Sequence, residues 1–214
     1  MQLSSYTQSS MRVLGIDCGT EYTGYGIVEL VPDLLPDARR FNDPHANGLH
    51  ANDLRSNDLR SNDVRSNERL ASIASGAIRV SPREPMPLRL SRISRALEEL
   101  IAIHRPQCVA IEDVFYAVNV KSALKLGQVR GVAMLAAASA GLEVFEYAPL
   151  SIKSAVVGYG KAEKHQVQQM VARLLRLDEI PEPPDVADAL AIAICHLHTA
   201  ATLARQRGKP AVAR

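Results

Sequence analysis

RVLGIDCGTEYTGYGIV, residues 12–28, decides the fold. It reads as a buried strand ending in an acid, a glycine turn, and a second strand returning beside the first. Val13, Leu14 and Ile16 run straight into Asp17, Gly19 and Thr20 turn the chain, and Tyr25, Ile27 and Val28 carry it back. Gly15, Gly19, Gly24 and Gly26 make it glycine-dense, as expected where backbone turns sharply or lies close against another segment. An acid at the rim of a hydrophobic strand either binds a cation or is tied down by local hydrogen bonds, because burial without a partner is unfavourable. The choice between the two rests on whether other acids converge on Asp17.

A chain of 214 residues suits one domain with a sizeable core, or one domain plus an insertion. No run reaches the ~18 uninterrupted apolar residues of a membrane span, so no membrane partner is expected. The opening MQLSSYTQSS lacks the basic and apolar regions of a signal peptide, and residues 1–10 read as a flexible extension before Met11. Cys18, Cys108 and Cys195 lie far apart without metal-type spacing, which favours reduced thiols and a cytoplasmic protein. A net charge of +2 and a pI near 8.5 fall short of the pI above ~9 that would by itself suggest nucleic-acid binding. Distribution says more. Lys121, Lys125, Arg130, Lys153, Lys161 and Lys164 stand against only Glu143, Glu146 and Glu163 over the same stretch, which permits a phosphate-bearing partner.

Beyond the first two strands, residues 42–69 repeat an Asn-led pentad, as in NDLRS NDLRS NDVRS. The segment is polar and cannot bury enough surface to offset the entropy of ordering, so an insertion at 33–68 is expected to be disordered. It sits in a hairpin between strands at 22–30 and 69–80, where a long loop adds little closure entropy. A helix at 88–105 buries Ile93, Leu97, Leu100, Ile101 and His104 at helical spacing. CVAIEDVF, 108–115, is a short buried strand ending in Glu112 and Asp113. A long helix at 120–140 stops at Gly141, and its small apolar second half must be covered by core or by a second subunit. A strand at 143–148, a short helix around 152–157, a helix near 163–176 and a last helix from 185 complete the chain. The pattern predicts an α/β fold, a mixed sheet with helices on both faces. The folded domain spans 11–205, and residues 206–214 form a basic, flexible tail.

Four acids stand out. Asp17 and Glu112 end neighbouring core strands, and Asp185 and Asp188 open a helix with a spacing of three that puts both on one face. Together they would form a cluster of hard oxygens suited to Mg²⁺ or Mn²⁺, and to two-metal phosphodiester hydrolysis. Each also has a plainer reading. Asp185 fits a helix N-cap with Asp188 as its partner three residues on, and Glu112 could pair with a nearby lysine.

The sequence closely resembles the RuvC family of Holliday-junction resolvases, of the ribonuclease H-like superfamily. The resemblance runs through GIDCGTEYTGYGIVE at 15–29, AIEDVFYAVNVKSALKLGQVRGVA at 110–133, VFEYAPLSIKSAVVGYGKAEKHQVQQMV at 144–171 and DVADALAIAICHLH at 185–198. It implies a five-stranded ribonuclease H-like sheet, with Asp17, Glu112, Asp185 and Asp188 as catalytic, metal-binding carboxylates for two Mg²⁺ ions, Mn²⁺ substituting. It further implies that Phe115 stacks on an opened base, that Lys153 and Lys164 contact the scissile-strand backbone, and that Lys121 and Arg130 add phosphate contacts. The implied protein is a homodimer that nicks two strands of a four-way junction symmetrically, leaving 5′-phosphate and 3′-hydroxyl ends, alongside the RuvA–RuvB branch-migration motor. Cys18 departs from the family's usual Pro, and the pentads are foreign to its pattern. Two other readings stand beside this one: a junction-binding protein without nuclease activity, and an actin/Hsp70-like ATPase, whose second phosphate loop has no counterpart at Asp185–Asp188.

Overall fold

The computed structural model describes residues 11–32, 68–113 and 120–207. The expectations for residues 1–10, for the pentads and for Phe115 lie outside the described residues. The chain divides into two units, Met1–Leu30 with Leu70–Arg214 and Val31–Arg69, and the first carries the core.

In chain order the elements are β1 (Arg12–Asp17), β2 (Tyr22–Pro32), β3 (Glu68–Arg79), α1 (Met86–His104), β4 (Cys108–Glu112), α2 (Val120–Ser139), β5 (Glu143–Tyr147), α3 (Pro149–Val157), α4 (Lys164–Leu175) and α5 (Pro184–Arg207). The sheet has five strands in the order β3-β2-β1-β4-β5. β1 pairs antiparallel with β2, Leu14 opposite Ile27, and parallel with β4, Ile16 opposite Ile111. β4 in turn runs parallel to β5, Glu112 opposite Tyr147. The three parallel strands therefore end on one edge, which is where Asp17 and Glu112 emerge.

Successive strand residues point to opposite faces, and both faces are covered. Val13, Val28, Cys108 and Ala110 face the layer of α3, α4 and α5, whereas Leu14, Ile16, Ile27, Val109 and Ile111 face α1 and α2. Burial on both sides explains why β1 and β4 read as continuous apolar runs instead of alternating ones. α1 sets Ile93, Leu97 and Ile101 on its inner stripe, each buried aliphatic side chain contributing about 1.5–3 kcal/mol. It ends at Arg105, whose left-handed backbone (φ 49°) returns its N–H to Ile101 O ahead of Pro106. Leu100 and His104, expected on the same stripe, are only half-buried. α2 ends where expected. Gly141 takes φ 72°, and Leu142 N–H donates to Ala137 O at 3.0 Å, closing the last turn.

α5 is the central helix. Val186, Ala187 and Ala189 through Leu197 are buried without a break. Residues Pro184–Leu203 are long and apolar enough to cross a membrane by composition, but most of that stretch is buried inside the fold, as in the core helix of a globular protein. Glycine makes this placement possible. A Cβ on Gly15 would stand 2.1 Å from Ala189 O, and one on Gly24 would stand 2.0 Å from Asp185 O. At Gly15 and Gly24 no side chain fits between the sheet and this helix, so α5 lies backbone against backbone on β1 and β2 there.

Candidate active site

Asp17 and Glu112 are brought side by side by the parallel register of β1 and β4. α5 delivers the other two acids to the same edge. It begins at Pro184, so Asp185 lies within the first turn and is not the cap residue that the sequence also allowed. A Cβ on Gly19 would lie 3.6 Å from Asp185 Oδ1, which places this carboxylate over the turn that follows Asp17. Asp188 sits three residues on, along the same face.

Electrostatics marks the four as one cluster. Burial and then the charges of Asp188, Glu112 and Asp185 push the Asp17 carboxyl up to about 7, against an ordinary value of 3.8. Glu112 is raised as well, by burial and then by Asp188, with Lys153 and Lys164 working against the rise. Lys164 Nζ donates to Asp188 Oδ2 at 2.6 Å. Burial alone would lower the ammonium's pKa. The hydrogen bond and charge of Asp188, together with Asp17 and Asp185, hold it above its usual value instead. Lys164 opens α4, and the turn before it is fixed because the Glu163 N–H donates to Gln166 Oε1 at 2.9 Å.

Beside the acids is a cavity of about 200 Å³, with Glu112, Asp188, Lys153 and Lys164 on its charged side. Ile152, Val167, Ala191 and Ile192 form an apolar wall. Lys153 and Lys164, both expected at a DNA backbone, thus stand next to the carboxylates. Lys121 is exposed in the first turn of α2. Arg130 is different. Expected at the phosphates, it is turned inward with 14% of its side chain exposed, bound to the Glu112 carbonyl, to Glu146 and to Asp113.

Among the described residues, no three His, Cys, Asp or Glu side chains are gathered closely enough to hold a metal ion as they stand. Lys164 holds one oxygen of Asp188. The donor set nonetheless fits a hard divalent cation. It is all carboxylate oxygen, and a carboxyl pushed up to about 7 by burial and then by three like charges marks a site short of positive charge. Burial and then the charge of Asp17 push the neighbouring Cys18 thiol up to about 12. His196 and His198 stand elsewhere. His196 is buried between Tyr147 OH at 2.8 Å and Cys108 Sγ at 3.4 Å, and His198 Nδ1 bonds Ala155 O. Sequence reading missed this core triad and the inward turn of Arg130. Val129 and Ala133, apolar neighbours on the buried face of α2, are the one signal that could have hinted at the latter.

Residues 63–196 match the family model described as crossover junction endodeoxyribonuclease RuvC. A crossover junction endodeoxyribonuclease RuvC from Koribacter versatilis is 56% identical over 199 residues, covering 93% of this chain and 99% of that protein. The solved structure of Thermus thermophilus RuvC superposes with a TM-score of 0.68 at 31% identity, over 90% of this chain and 96% of that one. The same protein in complex with a Holliday junction substrate gives 0.68 at 28% identity, with the same coverage. Full-length similarity to these relatives and a common architecture lead to one conclusion: the chain belongs to the RuvC family of crossover junction endodeoxyribonucleases.

Proposed function

We propose that this protein resolves four-way DNA junctions by divalent-metal-dependent nicking of two strands of like polarity, leaving ligatable 5′-phosphate and 3′-hydroxyl ends. The observation that carries this reading is the convergence of Asp17, Glu112, Asp185 and Asp188, from three separate elements, on one sheet edge with Lys153 and Lys164 beside them. These four carboxylates would hold Mg²⁺, two ions per site, with Mn²⁺ able to substitute. When bound, the ions supply the positive charge that draws in the scissile phosphate and favours in-line displacement by water. The chain's own residues do the rest. Lys164 and Lys153 orient the strand through its phosphates, and their charge offsets the crowding of the acids before substrate arrives. Phe115 stacks on an unpaired base near the crossover, and Lys121 adds a phosphate contact farther along an arm.

A second copy of the chain supplies the second nick. Its contact surface is the outer stripe of α2, where Val120, Leu124 and Leu135 are each more than 60% exposed. Between them Gly127 and Gly131 open onto free space, which allows two helices to approach closely. A two-fold protein suits a nearly two-fold junction. All three cysteines are free, which agrees with a cytoplasmic protein, where it works with the RuvA–RuvB motor.

The test is cleavage of a synthetic four-way junction with Mg²⁺, with a chelator, and with Asp17→Asn. Paired nicks that can be religated, and that vanish in both controls, are expected. Tight junction binding without nicks under every metal condition would replace the nuclease with a binding protein.

A further inference from the structure

The inward turn of Arg130 has a chemical purpose. β4 ends at Glu112, and a carbonyl at the last residue of a strand has run out of regular ladder partners. Arg130 Nη1, from the middle of α2, donates to that carbonyl. Nη2 pairs with Glu146 on β5, and Asp113 Oδ1 lies 3.8 Å away. Asp113 N–H meanwhile donates to Tyr147 O at 2.8 Å, extending the β4–β5 ladder by one rung. One guanidinium thus ties together α2, the end of β4 and β5, directly behind a carboxylate of the cluster. Two acids already occupy its charge, which leaves it poorly placed to serve a DNA phosphate.

We infer that Arg130 is a positioning residue of the nuclease site: it fixes the end of β4 so that the Glu112 carboxylate faces Asp17 and Asp188. The inference rests on the reading of Glu112 as a metal-binding acid. The planar fork serves the carbonyl from one nitrogen and Glu146 from the other, a span that the single nitrogen of an ammonium lacks. Freed from this tie, the last residue of β4 would sample positions spread over more than the ~0.5 Å that a metal-binding constellation tolerates.

The test uses the full-length protein with Arg130→Lys, Arg130→Met and Glu146→Gln, each checked by thermal melting. Junction affinity is measured with Ca²⁺ as a probe cation, over a range of salt. Single-turnover nicking at saturating junction is then followed against Mg²⁺ concentration. Both Arg130 variants should nick about 10–100-fold more slowly and need more Mg²⁺ to reach half-maximal rate, as losses behind metal ligands generally do. Glu146→Gln should do the same more weakly. Junction affinity and its salt slope should stay at the wild-type level, because no phosphate contact is removed. The idea is overturned if Arg130→Lys nicks normally while Arg130→Met binds junctions more weakly with a shallower salt slope, for that is a phosphate contact. It is equally overturned if both variants keep the wild-type rate and Mg²⁺ midpoint. Glu112→Gln, run alongside, separates the two levels of argument. If that variant still nicks, the reading of the site has failed, and not the role of Arg130 alone.

Discussion

Asp17 carries more electrostatic pressure than an ordinary aspartate. Its folded pKa of about 7 lies above its ordinary 3.8, so the folded chain holds this proton more tightly than the unfolded chain does. The ionised form therefore weighs against folding, not at all below pH ~4, increasingly between about 4 and 7, and by a constant amount above that. Asp17→Asn should accordingly raise the metal-free melting temperature at pH 8 by several degrees, a gain on the order of 1–2 kcal/mol that fades toward pH 4. Adding Mg²⁺ should stabilise the wild type and leave the variant nearly unmoved, since only the native state of the former gains a ligand. Melts at three pH values, with and without Mg²⁺, decide it; a gain equal at pH 4 and pH 8 would show that ionisation has nothing to do with it. The sequence carried the identity of Asp17 and its partners, because strand-ending acids and a helix-opening pair are visible as patterns. It could not carry the direction of Arg130. An arginine in a helix reads the same whether its fork meets solvent or a strand-end carbonyl.

At the scale of elements, the alternation of helix and strand after the first hairpin was legible because strong apolar periodicities, prolines and a C-terminal glycine mark the boundaries. Boundaries slipped where proline sits inside a helix start. α1 and α5 each begin at or within a residue of a proline, earlier than apolar spacing alone suggests. For α5 that small shift matters, since it moves Asp185 from a capping position into the helix. The glycine-dense motif was correctly read as close backbone approach, but nothing in the sequence named α5 as what approaches. Gly15→Ala tests that contact. Its Cβ would meet Ala189 O at 2.1 Å and Ala193 N at 2.8 Å, both backbone atoms that cannot swing aside. The substitution should destabilise the protein by about 3 kcal/mol or more and lower nicking further than the folded fraction alone accounts for. Urea unfolding beside a junction assay at matched folded fraction would show whether α5 has shifted; a change below 1 kcal/mol would mean the helix has more room than the structure gives it.

For the whole molecule, physical pattern reached a mixed α/β sheet with helices on both faces and an acid cluster suited to two-metal phosphodiester hydrolysis, and family resemblance supplied the junction substrate and the five-stranded ribonuclease H-like architecture. The assembly was half legible. A long helix with small apolar residues all round had to be covered by something, and the structure divides it. Val129, Ala133, Ala136 and Ala137 go to the core, and Val120, Leu124 and Leu135 remain outside. Leu124→Glu should therefore leave the fold intact and shift sedimentation to a monomer. Paired nicking should fall to sporadic single nicks. A variant that sediments as the wild type would remove α2 from the contact. The long interior helix carries a last consequence. Asp185 and Asp188 ride on α5, which is also the most continuously buried stretch among the described residues. Segments of this kind open only with the global transition, and not by local fraying. The carboxylates of α5 therefore share the lifetime of the native state itself: a molecule with its core intact keeps them at the sheet edge, and one that has lost them is already unfolded and open to proteolysis.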